Sequence, residues 1–147
     1  MEYLDFNSRD KQFYLVDTYC GFPEELMGSA NATEAAQFAE CHDEVVKTFS
    51  TFPGAVIIRG KVPDTLSKVG SDQIAFLSID MNHPVPEIAA MRFFWPRLVP
   101  GAIVLLDDYA YSEMYRSQKQ AFDELAGELD FCILTLPTGQ GLIVKGS

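Results

Sequence analysis

The sequence predicts an α/β sandwich built on a mostly parallel sheet and closed by an antiparallel hairpin. Three observations carry this expectation. Short apolar runs alternate along the chain with segments of helical period. Two of the runs, QIAFLSID and AIVLLDD, are continuously apolar, as strands buried on both faces are. The C-terminal FCILTLP and GLIVK flank a Thr-Gly-Gln turn, which is the pattern of a hairpin.

The elements follow in order. Phe13 to Asp17 (FYLVD) reads as the first strand, and a Gly/Pro loop, CGFPEELMGS, follows it. Roughly Ala32 to Phe49 reads as a helix. Phe38, Cys41, Val45 and Phe49 share one face, and Asn31 or Thr33 is placed to cap it. Ala55 to Arg59 (AVIIR) is the second strand. KVPDTLSKV carries a short helix that Asp64-Thr65 would cap. Gln73 to Asp80 is the third strand. Pro84 and Pro86 suit the opening of a helix that runs to about Leu98, with Ile88, Met91, Trp95 and Leu98 as its stripe. Pro96 should distort its last turn. Pro100-Gly101 reads as a turn into the strand AIVLLDD, and a polar helix spans roughly Ser112 to Leu129. No internal repeat, linker or low-complexity tract interrupts residues 1–147, so one domain is expected.

Composition narrows the function. At 48% hydrophobic residues over 147 positions, the chain is long enough to bury a sizeable core. The net charge of −10 argues against a nucleic-acid or anionic-membrane partner and suits a small neutral or cationic ligand. Cys20, Cys41 and Cys132 are scattered and odd in number, which reads as reduced thiols of a cytoplasmic protein. No apolar stretch reaches the length of a membrane span, and MEYLDFNSRDK lacks a signal-peptide layout. His42 and His83 have no partner at metal-ligand spacing.

The acids at strand ends carry the chemistry. Asp80 ends one buried run, and Asp107-Asp108 ends another. Ligands of open α/β sheets collect outside the carboxyl ends of the strands. Three carboxylates there repel one another unless a proton or a cation intervenes. A shared metal or acid–base site is one reading; turn and cap acids are the other. Asp17 ends the first strand, where an acid either accepts from a ribose diol or caps a turn. Gly60 after AVIIR either admits a flat ring or backbone closely or is an ordinary turn glycine. Tyr109 and Tyr111 either line a substrate pocket or are packing and surface aromatics, and the TGQ turn has no assigned chemistry.

FYLVDTYCGFPEE, RGKVPDTL, FLSIDMNHPVPEIAAMRFFWPRLVPGAIVLLDDYAY and LPTGQGLIVK together resemble the macrocin O-methyltransferase family of class I S-adenosylmethionine-dependent enzymes. The resemblance covers about Gln12 to Lys145. It implies a Rossmann-like class I methyltransferase sandwich and methyl transfer to a hydroxyl of a small molecule such as a sugar or secondary metabolite. It places Asp17 on the ribose hydroxyls of S-adenosylmethionine and Gly60 and Lys61 at the adenine edge. It matches Asp80, Asp107 and Asp108 to acids that hold Mg²⁺, with Asp80 also the general base. Asn82 stands where many relatives carry a second acid, so their substrate specificity is not carried over to this chain, whereas the metal triad is.

The family's fold begins with a strand and a glycine-rich loop, and neither precedes Asp17 here. MEYLDFNSRDK resembles the tail of the helix that follows that loop. An N-terminally truncated domain is therefore expected, with the first, central strand missing. Either the two flanking strands pair directly, or a second chain fills the gap, or the gene sequence is incomplete. A homo-oligomer or a rearranged sheet is expected of whatever folds. A non-catalytic remnant that self-associates is the competing reading, and a phosphoryl-receiver domain is disfavoured because the lone acid precedes the pair. Weak or absent binding of S-adenosylmethionine by this chain alone is the expected outcome of a calorimetric titration; affinity in the micromolar range would overturn it.

Overall fold

The computed structural model describes residues 5–21 and 39–147. The predicted caps Asn31 and Thr33, and Phe38 of the helical stripe, lie outside them. The chain divides into two compact units, Met1–Val69 and Gly70–Ser147.

In the first unit, β1 (Phe13–Asp17) and β2 (Ala55–Arg59) pair in parallel, with Phe13 opposite Ala55 and Asp17 opposite Arg59. Helix α1 (His42–Phe49) follows Cys41 as its N-cap residue. Residues 39–41 are not helical, so the helix starts later than its apolar stripe suggests. It attaches to the sheet through aromatic contacts. Phe49 stacks on Phe13 at 6.5 Å, and Phe6 and Phe52 extend the cluster at 6.4 and 6.3 Å. Such pairs add to the burial of their ring area. Phe6–Ser8 is a single 3₁₀ turn rather than the end of an α-helix.

The second unit holds a four-stranded sheet of order β3-β4-β6-β5. Its strands are β3 (Ile74–Ile79), β4 (Leu98–Leu106), β5 (Leu134–Thr135) and β6 (Gly141–Val144). The β3–β4 pair is parallel and the other two pairs are antiparallel. Strand β4 begins earlier than predicted. Pro100-Gly101 lies inside it as a bulge, and the register jumps from Ile74–Leu98 to Phe76–Ile103. Gly101 takes φ +81, a conformation open to glycine, and its N–H donates to Lys145 O at 2.8 Å.

Helices α2 (Pro84–Phe94) and α3 (Arg116–Leu129) complete the unit. His83 caps α2, its Nδ1 accepting the Val85 N–H at 3.2 Å. The Pro96 distortion is realised as a 3₁₀ turn over Trp95–Arg97. The core joins Ala90, Met91 and Phe94 of α2, Phe122 and Leu125 of α3, and Ala102, Val104, Leu106 and Ile143 of the sheet.

The other face of this sheet departs from the sequence expectation. Phe76, Ile103 and Val144 form one row across three strands. Phe76 is 53% exposed and Val144 54%. The apolar runs suggest burial on both faces, but among the described residues one face is covered. Among the described residues, β1 bonds to β2 and β3 bonds to β4. No helix of the described residues is long and apolar enough to cross a membrane.

Phe122 is 1% exposed at the centre of the second core. Phe122→Ala should cost about 3–5 kcal/mol, read as a lower urea midpoint at unchanged slope. A loss below about 1 kcal/mol would place the core elsewhere.

Candidate functional site

Asp17 and Gly60 come together in the first unit. They follow one another across the β1–β2 ladder, and Gly60 N–H donates to Asp17 O at 2.9 Å. The Asp17 carboxylate is exposed and locally held. Its Oδ1 accepts the Tyr19 N–H at 2.6 Å and the Thr18 hydroxyl at 3.3 Å. This Asx turn holds Tyr19 at φ +59. Tyr19 is buried and donates its hydroxyl to Leu15 O at 2.8 Å. Burial, then the nearby Asp17 charge, push its phenol up to about 12.

Gly60 has φ +141, and a Cβ there would lie 2.6 Å from Thr65 Cγ2. The glycine therefore admits the buried Thr65 into the turn that follows. Thr65 does not cap the next 3₁₀ turn with its side chain, as predicted; its hydroxyl donates back to Lys61 O at 3.0 Å. Lys61 Nζ stands 4.0 Å from Asp64 Oδ2 on an exposed surface, a pair of small energetic weight.

In the second unit, β3 and β4 end side by side. Ile79 is opposite Leu106, and Asp107 N–H donates to Ile79 O at 3.0 Å. Parallel pairing thus brings Asp80 next to Asp107 and Asp108. Gln140 Nε2 donates to Asp107 Oδ1 at 2.6 Å. Asn82, at φ +54, places its Nδ2 3.5 Å from Asp80 Oδ1. Asn tolerates that left-handed conformation better than most residues, which accounts for its place in the turn.

The expected Mg²⁺ arrangement is not assembled. Among the described residues, no group of three or more His, Cys, Asp or Glu side chains is placed to hold a metal ion. The reason is local: Asp107 is turned to an amide of the hairpin and Asp80 faces Asn82.

Tyr109 is 5% exposed and does not line an open pocket, whereas Tyr111 is 67% exposed. The Tyr109 hydroxyl donates to Asp123 of α3 and accepts from Lys119 Nζ at 3.1 Å. Lys119 Nζ also reaches Asp123 Oδ2 at 2.6 Å. Burial, then the Asp123 contact, raise the tyrosine pKa. Burial opposes ionisation of Asp123, but the Lys119 and Tyr109 hydrogen bonds hold its pKa below the usual range. This network ties the segment after the acid pair to α3.

A family model described as Methyltransferase domain matches residues 3–109, the span that contains both constellations. The chain belongs to the methyltransferase domain family. The fold agrees. The solved structure of the O-methyltransferase NovP superposes with a TM-score of 0.80 at 21% identity, over 95% of this chain and 62% of that one. The calicheamicin methyltransferase CalS11 gives 0.64 at 17% identity, over 92% and 61%. Its apo form, a TDP-rhamnose 3'-O-methyltransferase, gives 0.60 over 92% and 59%. This methyltransferase domain therefore spans about three fifths of the length of those solved relatives. No curated protein matches.

One acid of the methyltransferase domain was missed in the sequence. Glu87, in the first turn of α2, is 3% exposed, and its Oε1 accepts the Met81 N–H at 3.2 Å. Burial, then the charges of Asp108 and Asp80, push its carboxyl up to about 7, against a lowering pull from the Met81 bond. In HPVPE it looks like an ordinary helix-start acid, so only the tertiary structure reveals it.

The sign of the pH effect follows. Folded Glu87 holds a proton between pH about 4.5 and about 7, where the unfolded chain has released it. Its contribution to stability is therefore greatest below that window and declines as pH rises through it. Glu87→Gln retains an acceptor for Met81 without the charge. It should raise stability near pH 8 by at most about 3 kcal/mol and change little near pH 4.5. Parallel melting curves for the two proteins across this range would refute the burial cost assigned to Glu87.

Proposed function

We propose that this methyltransferase domain serves S-adenosylmethionine-dependent transfer of a methyl group to a hydroxyl of a small molecule, a sugar or a secondary metabolite. The observation that carries the reading is the pairing of β3 with β4, which sets Asp80 beside Asp107 and Asp108 at the carboxyl ends of two parallel strands. Family membership supplies the reaction class. The O-methyltransferase neighbours share the fold and support oxygen as the acceptor atom.

Asp17 is the residue for the ribose hydroxyls, because its carboxylate is exposed at a strand end and pre-oriented by Tyr19 N–H. Gly60 and Lys61 follow the neighbouring strand and would border the adenine. S-adenosylmethionine, when bound, supplies an electrophilic sulfonium methyl. Asp80 takes the proton from the acceptor hydroxyl as that oxygen attacks. A sugar hydroxyl is a poor nucleophile at neutral pH, so proton removal and alignment carry the step. No step is assigned to Mg²⁺, since the acids do not converge on one point.

A methyl-donor assay on the full-length protein over a panel of hydroxylated acceptors, run with Mg²⁺ and with chelator, tests this. Asp80→Asn should lower turnover by about 100-fold or more. Turnover that survives the substitution would remove Asp80 as the base. Transfer that collapses in chelator would restore the metal role that the described conformation does not support.

A further inference from the structure

The turn between β5 and β6, Thr138-Gly139-Gln140, has no task in the reaction described above. Its side chains nevertheless reach the acidic loop. The Gln140 amide meets Asp107 Oδ1 across 33 residues of chain. The amide nitrogen, the only donor of the side chain, faces the carboxylate oxygen. The oxygen end is fixed separately: Thr138 Oγ1 donates to Gln140 Oε1 at 2.8 Å. Both contacts demand the same orientation of the amide.

The backbone holds this turn in place without help from Gln140. Ala110 N–H donates to Gly139 O at 2.7 Å, and Leu136 N–H donates to Gln140 O at 2.8 Å. Gly139 has φ +89, and a Cβ there would lie 2.7 Å from Tyr111 Cα. The turn therefore lies against the loop backbone at a separation that glycine alone permits. On the other flank, a Cβ at Gly141 would lie 2.9 Å from the Tyr109 ring. With docking secured by backbone and glycines, the amide of Gln140 is left to act on one atom of one side chain. A short hydrogen bond from an amide to a carboxylate is strong enough to select a rotamer.

We infer, on the O-methyl-transfer reading above, that Gln140 is a positioning residue that sets the rotamer of Asp107 in the acidic loop, its own amide oriented by Thr138. Gln140→Leu keeps the bulk of the side chain and removes the donor. Thr138→Val removes the hydroxyl that orients the amide.

The test has two readouts. In the methyl-donor assay, Gln140→Leu should lower kcat in the same direction as Asp107→Asn and by no more than that variant does, with KM for the methyl donor unchanged. Thr138→Val should give a smaller loss in the same direction. The double variant Gln140→Leu/Asp107→Asn should be no slower than Asp107→Asn alone, because Gln140 acts through Asp107. In parallel, the Asp107 carboxyl carbon resonance, assigned through Asp107→Asn, should move in Gln140→Leu while the spectrum elsewhere stays that of the folded chain.

An unmoved resonance overturns the inference whatever the turnover. A resonance that moves while neither Gln140→Leu nor Asp107→Asn changes kcat also overturns it, and leaves methyl transfer standing. If no acceptor is methylated by the unsubstituted protein, the functional reading fails and takes the catalytic role of Gln140 with it. The resonance then still decides whether Gln140 holds Asp107.

Discussion

The parallel pairing of β3 with β4 at Ile79 and Leu106 is the constraint on which the acidic loop depends. It is fixed by two apolar strands whose inward residues, Ile79, Val104 and Leu106, are at most 3% exposed. Once that register is set, Asp80, Asp107 and Asp108 have no choice but to emerge together. The hydrophobic core thus supports a local concentration of negative charge that the loop residues would not form by themselves.

The fold answers that concentration in more than one way. Glu87 keeps its proton to about pH 7 rather than adding another charge. Asp107 receives an amide donor from the hairpin, and Asn82 presents its own amide near Asp80. Hydrogen-bond donors without net charge can stabilise a carboxylate at a smaller desolvation cost than a buried cation. The cationic partner is placed further out: Lys119 pairs with Asp123 and grips the Tyr109 hydroxyl. Its ammonium also lies 4.6 Å from the centre of the Tyr109 ring. The loop is therefore anchored at its tyrosine by α3 and at its first acid by the hairpin.

Much of this was legible in the sequence, for physical reasons that differ by residue. QIAFLSID and AIVLLDD announced β3 and β4 because continuous apolar runs of that length leave few alternatives. Pro96 announced the 3₁₀ turn, since it cannot extend a regular helix. Pro100-Gly101 misled because it is ordinary turn chemistry, and only pairing with β3 and β6 on either side absorbs it as a bulge. Thr65 looked like a cap, but its hydroxyl found a closer acceptor in Lys61 O. Gln140 and Glu87 were illegible for a stronger reason. Their partners are set by tertiary structure, and neither residue type nor spacing distinguishes them from a turn amide and a helix-start acid.

Asp17 shows why a local explanation need not displace a functional one. The Tyr19 N–H that makes it a turn acid engages Oδ1 and fixes the carboxylate plane. Tyr19 is itself held by burial and by its bond to Leu15 O. On the proposed reading, a carboxylate that is exposed and already oriented loses little freedom when a diol donates to it. On that reading, the bonds that satisfy the structural role also prepare the residue for the ribose diol. In the second unit the relation is reversed: the Gln140 bond that orients Asp107 also occupies one of its oxygens. A ligand at the first acid meets a prepared acceptor, and a ligand at Asp107 must share it with the hairpin or displace the amide.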